Sequence, residues 1–243
     1  MSALLRVSNL AVTRGTSPVF CGLDFELSAG EVVVVLGPNG GGKSSLLLAL
    51  AGLIPSDGSI ELSGGALSGY GRRELSQAIA WQGELPPTEF GLTVRQRLEL
   101  VAGEAGEGID CSAAAMDVAS LLHRPLGELS SGERQRVELA AMMLRTAPVW
   151  LLDEPTAHLD LKHQVQCMRM IREQRRHGRA MIVVLHDLQQ AKAVADHLIL
   201  IDGRGGAEYG GADRLFAGDR LSRLFDASLV MQGSLLVPDY GDG

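Results

Sequence analysis

Apolar residues fall along the chain in two kinds of run, and their order sets the expected architecture. The first kind is short and unbroken. Glu31–Leu36 (EVVVVL) ends in glycine and has the pattern of a strand buried on both faces; Val149–Leu152, Met181–Leu185 and Leu198–Ile201 repeat it. The second kind is spaced at helical intervals. Residues 43–51 read as a helix that stops at Gly52 in the C-cap role. Leu161, Val165, Met168 and Ile171 share one helical face behind a cap at Asp160, and Asp187 heads a helix through Ala191 and Ala195. Strands alternating with helices predict an α/β fold with a mainly parallel sheet and right-handed crossovers. From Gln82 to Val149 the strand signal stops, and helices broken by GEAGEG at 103–108 predict an inserted helical subdomain. The expected division is one domain whose core is built from residues 1–82 and 149–243, with a helical subdomain at 83–148. After Asp202 the chain reads as a turn (GRGGAEYGG), a short helical region and a final strand, a tail whose function the pattern does not show.

Length and composition narrow the functional classes. At 243 residues one α/β domain with a sizeable core is expected. The formal charge of -7 lacks the basic field that wraps nucleic acid, so no nucleic-acid partner is expected. Cys21, Cys111 and Cys167 are far apart and odd in number, which points to thiols in a reducing compartment. No stretch approaches the ~18 apolar residues of a spanning helix, so a cytoplasmic chain that meets a membrane through a partner is expected. Of 22 basic residues only Lys43, Lys162 and Lys192 are lysine, and that makes Lys43 conspicuous.

Lys43 lies in Gly37-Pro38-Asn39-Gly40-Gly41-Gly42-Lys43-Ser44, with Ser45 following, which fits G-x-x-x-x-G-K-[ST] between a buried strand and a helix. Such a loop curls backbone N–H groups around phosphate oxygens at the positive end of a helix. Lys43 would reach the β- and γ-phosphates of a nucleotide, and Ser44 would ligate Mg²⁺. An incidental glycine-rich turn is the bland alternative, and the flanking strand and helix argue against it. Val149–Glu154 (VWLLDE) ends a strand in two carboxylates. Asp153 would support the hydrated Mg²⁺, and Glu154 would orient or deprotonate the attacking water. Leu129-Ser130-Ser131-Gly132-Glu133-Arg134-Gln135 opens another helix, where Ser130 and the N–H groups around Gly132 form an anion-binding end. Read plainly, it is also a capping box between Ser130 and Glu133.

That last element resembles the LSGGQ signature of ABC ATPases, and the resemblance spans nearly the whole chain in the family's order. Gln82 matches the Q-loop glutamine, Ala157-His158-Leu159-Asp160 the D-loop, and His186 the switch histidine. The resemblance implies a P-loop NTPase core and cofactors ATP and Mg²⁺. Gln82 would sense the metal and link to the helical subdomain, and His186 would contact the γ-phosphate. It also implies a half-site: Ser130, Ser131, Gly132 and Glu133, with Asp160 nearby, would serve the nucleotide of a second copy facing head to tail. Integral membrane permease subunits would dock near residues 82–94 at the cytoplasmic face of the cell membrane, with a substrate-binding protein as a further partner.

Three departures stand out. Ser131 replaces a glycine and would be strained if that position needs a positive φ. Glu133 replaces glutamine. Arg14 takes the approximate place of the adenine-stacking aromatic. Within the family, LDLKHQ (159–164), HDL (186–188), the segment after Gln82 and the LFDASLVMQGSLLVP tail are similar to importers of iron-siderophore complexes, haem and cobalamin. An exporter subunit for haem or lipoproteins and a soluble ABC ATPase are the rival readings. The second lacks its usual tandem cassette or coiled-coil insertion here.

Overall fold

The computed structural model describes residues 3–15, 17–83, 85, 91–102, 106–233 and 235–239. The chain begins with strands β1 (Ala3–Arg14), β2 (Ser17–Ser28) and β3 (Val32–Leu36), followed by helix α1 (Lys43–Leu50). β4 (Asp57–Leu62), β5 (Gly65–Ala66), α2 (Arg72–Ala78) and β6 (Ile79–Gln82) come next. The helices α3 (Val94–Ala102), α4 (Ile109–Ala115) and α5 (Ser131–Met143) lie before β7 (Val149–Asp153). Then α6 (Leu161–Arg176), β8 (Ala180–Val184), α7 (Leu188–Val194), β9 (His197–Ile201) and β10 (Ala207–Gly211) alternate. Two short helices, α8 (Ala212–Leu215) and α9 (Gly218–Phe225), and a hairpin of β11 (Leu229–Gln232) and β12 (Leu235–Pro238) close the chain.

Six strands form the central sheet in the order β10-β9-β3-β8-β7-β6, parallel except for β10 at one edge. A separate antiparallel sheet, β2-β1-β4-β5, had no counterpart in the strand pattern. Its β1–β2 pair carries bulges. Asn9 (φ 48°) and Gly22 (φ 68°) break the alternation of β1 and β2, so Leu5 and Val7 fall out of step with Leu10 and Val12. The GRGGAEYGG segment, expected as a turn, instead supplies β10, which pairs with β9.

β3 shows why the valine run is unbroken. Val33 and Val35 pack with α1 and the antiparallel sheet, while Val32, Val34 and Leu36 pack with the helices on the other face. All five are fully buried, each contributing roughly 1.5–3 kcal/mol of apolar transfer. α6 differs from expectation in its inward face. Cys167, Met170, Ile171 and Gln174 are buried, whereas Leu161 and Val165 are exposed. A bidentate pair from Arg97 (α3) to Glu138 (α5), at 2.9 and 2.5 Å, ties the middle helices together. Asp117, after α4, accepts from Lys162 at 2.7 Å and lies 3.3 Å from His163 Nε2, which joins those helices to the start of α6. Lys162 chiefly, then His163, holds the Asp117 carboxyl below its usual range. Cys21 and Cys111 are exposed and Cys167 is buried, its thiol pushed up to about 12 by desolvation. Among the described residues no helix is long and apolar enough to cross a membrane.

Candidate functional site

The C-terminal ends of β3, β7 and β8 place Lys43, Ser44, Asp153, Glu154 and His186 around one crevice. After β3 the loop 37–42 runs into α1, whose first turn holds no acidic side chain and no side-chain cap, so its N–H groups face the crevice without a competing carboxylate. Gly42 turns at φ 104°, and a Cβ there would strike Val19 of β2. Lys43 is 5 % exposed and folds back over its loop, donating to the carbonyls of Gly37 (3.0 Å) and Pro38 (2.9 Å). Burial lowers its ammonium pKa, partly offset by the carboxylates of Glu154 and Asp153.

Two cavities meet at Ser44 and Glu154. One, of about 520 Å³, is lined by Arg14, Asn39, Lys43, Ser45 and His186 together with the shared pair. This volume lies in the range of small-molecule sites. The other, of about 350 Å³, adds Asp153, Gln135, Ala157 and His158. Glu154 has φ 50°, a left-handed conformation unusual for a residue with a Cβ, and it aims Oε1 to within 2.6 Å of His186 Nε2. Gln82 is 5 % exposed. Its Nε2 donates to the Gly83 carbonyl at 3.0 Å, and its Oε1 is buried with no hydrogen-bond partner among the described residues. Gln82 lines neither cavity, but it ends β6 alongside β7, whose last residue is Asp153. Its orphaned amide oxygen, that carboxylate and the Ser44 hydroxyl are hard donors of the kind that suits Mg²⁺, which keeps few protein ligands and completes its shell with phosphate and water. Among the described residues no cluster of His, Cys, Asp and Glu competes as a metal site.

Within the signature segment, Ser130, Ser131, Gly132 and Glu133 line neither cavity. Ser130 caps α5 and accepts from Glu133 N (3.2 Å), while Ser130 N–H and Oγ–H both donate to Glu133 Oε2 at 2.8 Å. These donors, the Ser130 N–H first, hold the Glu133 carboxyl below its usual range. Ser131 opens the helix without a positive φ, so the strain considered for it is not there. Gly132 is required by close approach: a Cβ would lie 2.7 Å from the His158 carbonyl oxygen. Asp160 lines neither cavity. It caps α6 by accepting from His163 N at 2.9 Å, and that N–H is the first cause of its lowered carboxyl pKa.

Gln135 closes the signature segment, but the sequence reading gave it no role in the site. It is 3 % exposed, donates to the Pro155 carbonyl at 3.0 Å and reaches the smaller cavity from behind. Its signal was helical spacing, since Gln135, Leu139 and Met142 share the buried face of α5. Residues 84 and 86–90 of the segment after Gln82 lie outside the described residues, as do 103–105 of GEAGEG.

Known proteins share this arrangement. The model of the ABC transporter family matches residues 20–157. The hemin import ATP-binding protein HmuV of Streptomyces coelicolor is 39% identical over 249 aligned positions, covering 96% of this chain and 89% of that protein. Its namesake in Nocardia farcinica is 37% identical, with 91% and 82% covered. A solved metal-chelate type ABC transporter in an inward-facing conformation superposes with a TM-score of 0.83 at 23% identity, over 98% of each chain. The ATP binding subunit of another ABC transporter gives 0.80 at 23% identity, over 91% and 94%. The structural likeness carries the fold and the sequence relatives carry the family. The chain belongs to the ABC transporter family and is one of its ATP-binding subunits, an ATPase whose turnover is coupled to transport.

Proposed function

We propose that the chain energises import of haem or a related iron chelate, acting as one of two copies that face each other head to tail across two molecules of ATP and Mg²⁺. The observation that carries the reading is the meeting of two cavities at Ser44 and Glu154, one with the geometry of a phosphate cradle and one with oxygen donors for the metal. Lys43 and the loop N–H groups hold the β- and γ-phosphates. Glu154 positions and deprotonates water, and His186 holds that carboxylate from one side and reaches the γ-phosphate. Ser44, Asp153 and Gln82 would hold Mg²⁺, which would neutralise developing charge on the phosphate oxygens. Ser130, Ser131, Gly132 and Glu133 line neither cavity of their own chain, which supports a site completed by a partner copy. Asp160 stands at the loop beside that junction. The haem assignment rests on the relatives named for hemin import.

A groove of about 530 Å³ fits a permease contact at the cytoplasmic face of the membrane. It is lined by Leu53 (58% exposed), Arg72, Leu75, Ile79 and Trp81 (40% exposed), next in sequence to Gln82. The exposed apolar side chains supply a docking surface, and Gln82 would feel its displacement. Helices α3–α5 would then move as the helical subdomain of residues 83–148 against the core. A substrate-binding protein would deliver the cargo on the far side.

The test is to purify the tagged chain from its native membrane, identify the copurifying permease and follow uptake of haem, siderophore and cobalamin in cells carrying wild type or Glu154→Gln. Loss of haem or chelate uptake in the variant is expected. Haem and chelate uptake untouched by Glu154→Gln, or a partner permease that carries sugars or amino acids, would overturn the assignment.

A further inference from the structure

The loop behind Glu154 and the helix behind His186 are joined by side chains given no role in the site so far. Thr156 Oγ–H donates to Gln190 Oε1 at 3.0 Å, Gln190 Nε2–H donates to Gln164 Oε1 at 3.1 Å, and Gln164 Nε2–H donates to the Leu159 carbonyl at 3.0 Å. Gln190 stands on α7, four residues beyond His186, and its backbone is fixed by Asp187, which accepts from Gln189 N and Gln190 N. The relay starts and ends on one loop, 156–159. That loop places the His158 carbonyl against Gly132, while Pro155 just before it accepts from Gln135.

We propose that Gln190 is a positioning residue through which the nucleotide in this chain's own site is read at the signature that serves the partner's nucleotide. The inference rests on the shared-site reading above. A phosphate drawing His186 toward it shifts the head of α7. Gln190 cannot follow alone, because Thr156 and Gln164 hold its amide on both sides, and half-buried amides left without partners are costly. The 156–159 loop therefore moves with α7. Gly132, whose backbone leaves no room for a Cβ against His158, moves with the loop. The two sites of a pair are thereby coupled, and coupling of this kind is reciprocal for binding.

Gln190→Leu keeps the volume and removes both hydrogen bonds. In the full chain with its permease, the expected result is single-site ATP binding within about twofold of wild type, a Hill coefficient for turnover falling from near two toward one, and kcat lower by about tenfold. Thr156→Val breaks the first link alone with little change of shape and decides the matter if Gln190→Leu folds poorly. The double variant should lose no more than the worse single variant, since both act on one relay. An unchanged Hill coefficient in either single variant, or losses that add in the double variant, overturns the inference. Glu154→Gln separates the layers: no ATP-trapped pair sinks the shared site and this relay together, whereas a trapped pair with wild-type cooperativity in Gln190→Leu sinks the relay only.

Discussion

His186 Nε2 lies 2.6 Å from Glu154 Oε1, bridging the ends of β8 and β7 across the crevice. The Glu154 backbone sits at φ 50° to make that approach, a conformation costing about 1–2 kcal/mol that surrounding structure must offset. Glu154→Gln keeps the shape and removes the base. We expect ATP affinity near wild type, turnover lower by at least about 100-fold, and a pair of chains that stays closed on ATP. His186→Ala should also depress turnover while sparing binding. Phosphate release and size-exclusion chromatography with Mg²⁺ and ATP check both, and a Glu154→Gln variant that hydrolyses at the wild-type rate removes Glu154 from the role of base.

Glu133 engages the donors of Ser130. In the head-to-tail pair proposed above, its negative charge would face a partner's phosphate. Glu133→Gln should therefore shift two properties in opposite directions. Charge at a helix N-terminus counts for about 0.3–1 kcal/mol, so half-maximal turnover should need about two- to fivefold less ATP, while the capping contribution and the melting temperature fall slightly. Steady-state kinetics and thermal melts give the two readouts; a higher ATP requirement would mean that Glu133 contacts the nucleotide favourably.

For Lys43 the sign runs against intuition about a binding-site charge. Burial lowers its folded pKa below 10.5, so the unfolded chain binds that proton more tightly. The resulting penalty is fully present at neutral pH and fades as pH rises from the folded pKa toward the unfolded one. Lys43→Met removes the penalty together with the hydrogen bonds to Gly37 and Pro38. The ligand-free Tm should stay within a few degrees of wild type, and the upward shift that ATP produces should vanish. Differential scanning with and without nucleotide decides it; a large drop in the ligand-free melt would make Lys43 a structural pillar.

Arg14 is exposed at the end of β1 and lines the cavity that holds Lys43 and His186. Stacking of its guanidinium on a base is worth roughly 0.5–2 kcal/mol and does not distinguish one purine from another. ATP and GTP should bind within about tenfold of each other, Arg14→Ala should weaken both, and Arg14→Tyr should tighten both. Nucleotide titrations test this. Affinities untouched by Arg14→Ala would leave the base unstacked, and a strong preference for ATP would reveal another contact to its edge.

Much of the core was legible because burial on both faces leaves a simple trace, as in the valines of β3, and because caps are local: Asp160, Asp187 and the Ser130–Glu133 box all lie where short-range chemistry puts them. β1 and β2 escaped because Asn9 and Gly22 each insert a residue that breaks the period of two. The face of α6 was misjudged because its inward side is set by what packs on it, leaving Leu161 outside and Gln174 inside. In the site, residue types were readable from motifs. The meeting of Gly132 with the His158 carbonyl was not, because it joins positions 26 residues apart through backbone alone.

The distribution of thiols has a practical reach. Cys21 lies on β2 in the outer sheet, Cys111 on α4 among the middle helices, and both are open to solvent, whereas the Cys167 thiol is buried and resists ionisation up to about 12. Alkylating dyes attack thiolates, so donor and acceptor fluorophores would attach at two places and spare the third. The unmutated chain thus carries its own molecular ruler: energy transfer between those dyes would report, in real time, whether the helical region moves relative to the sheets during each turnover, as proposed above.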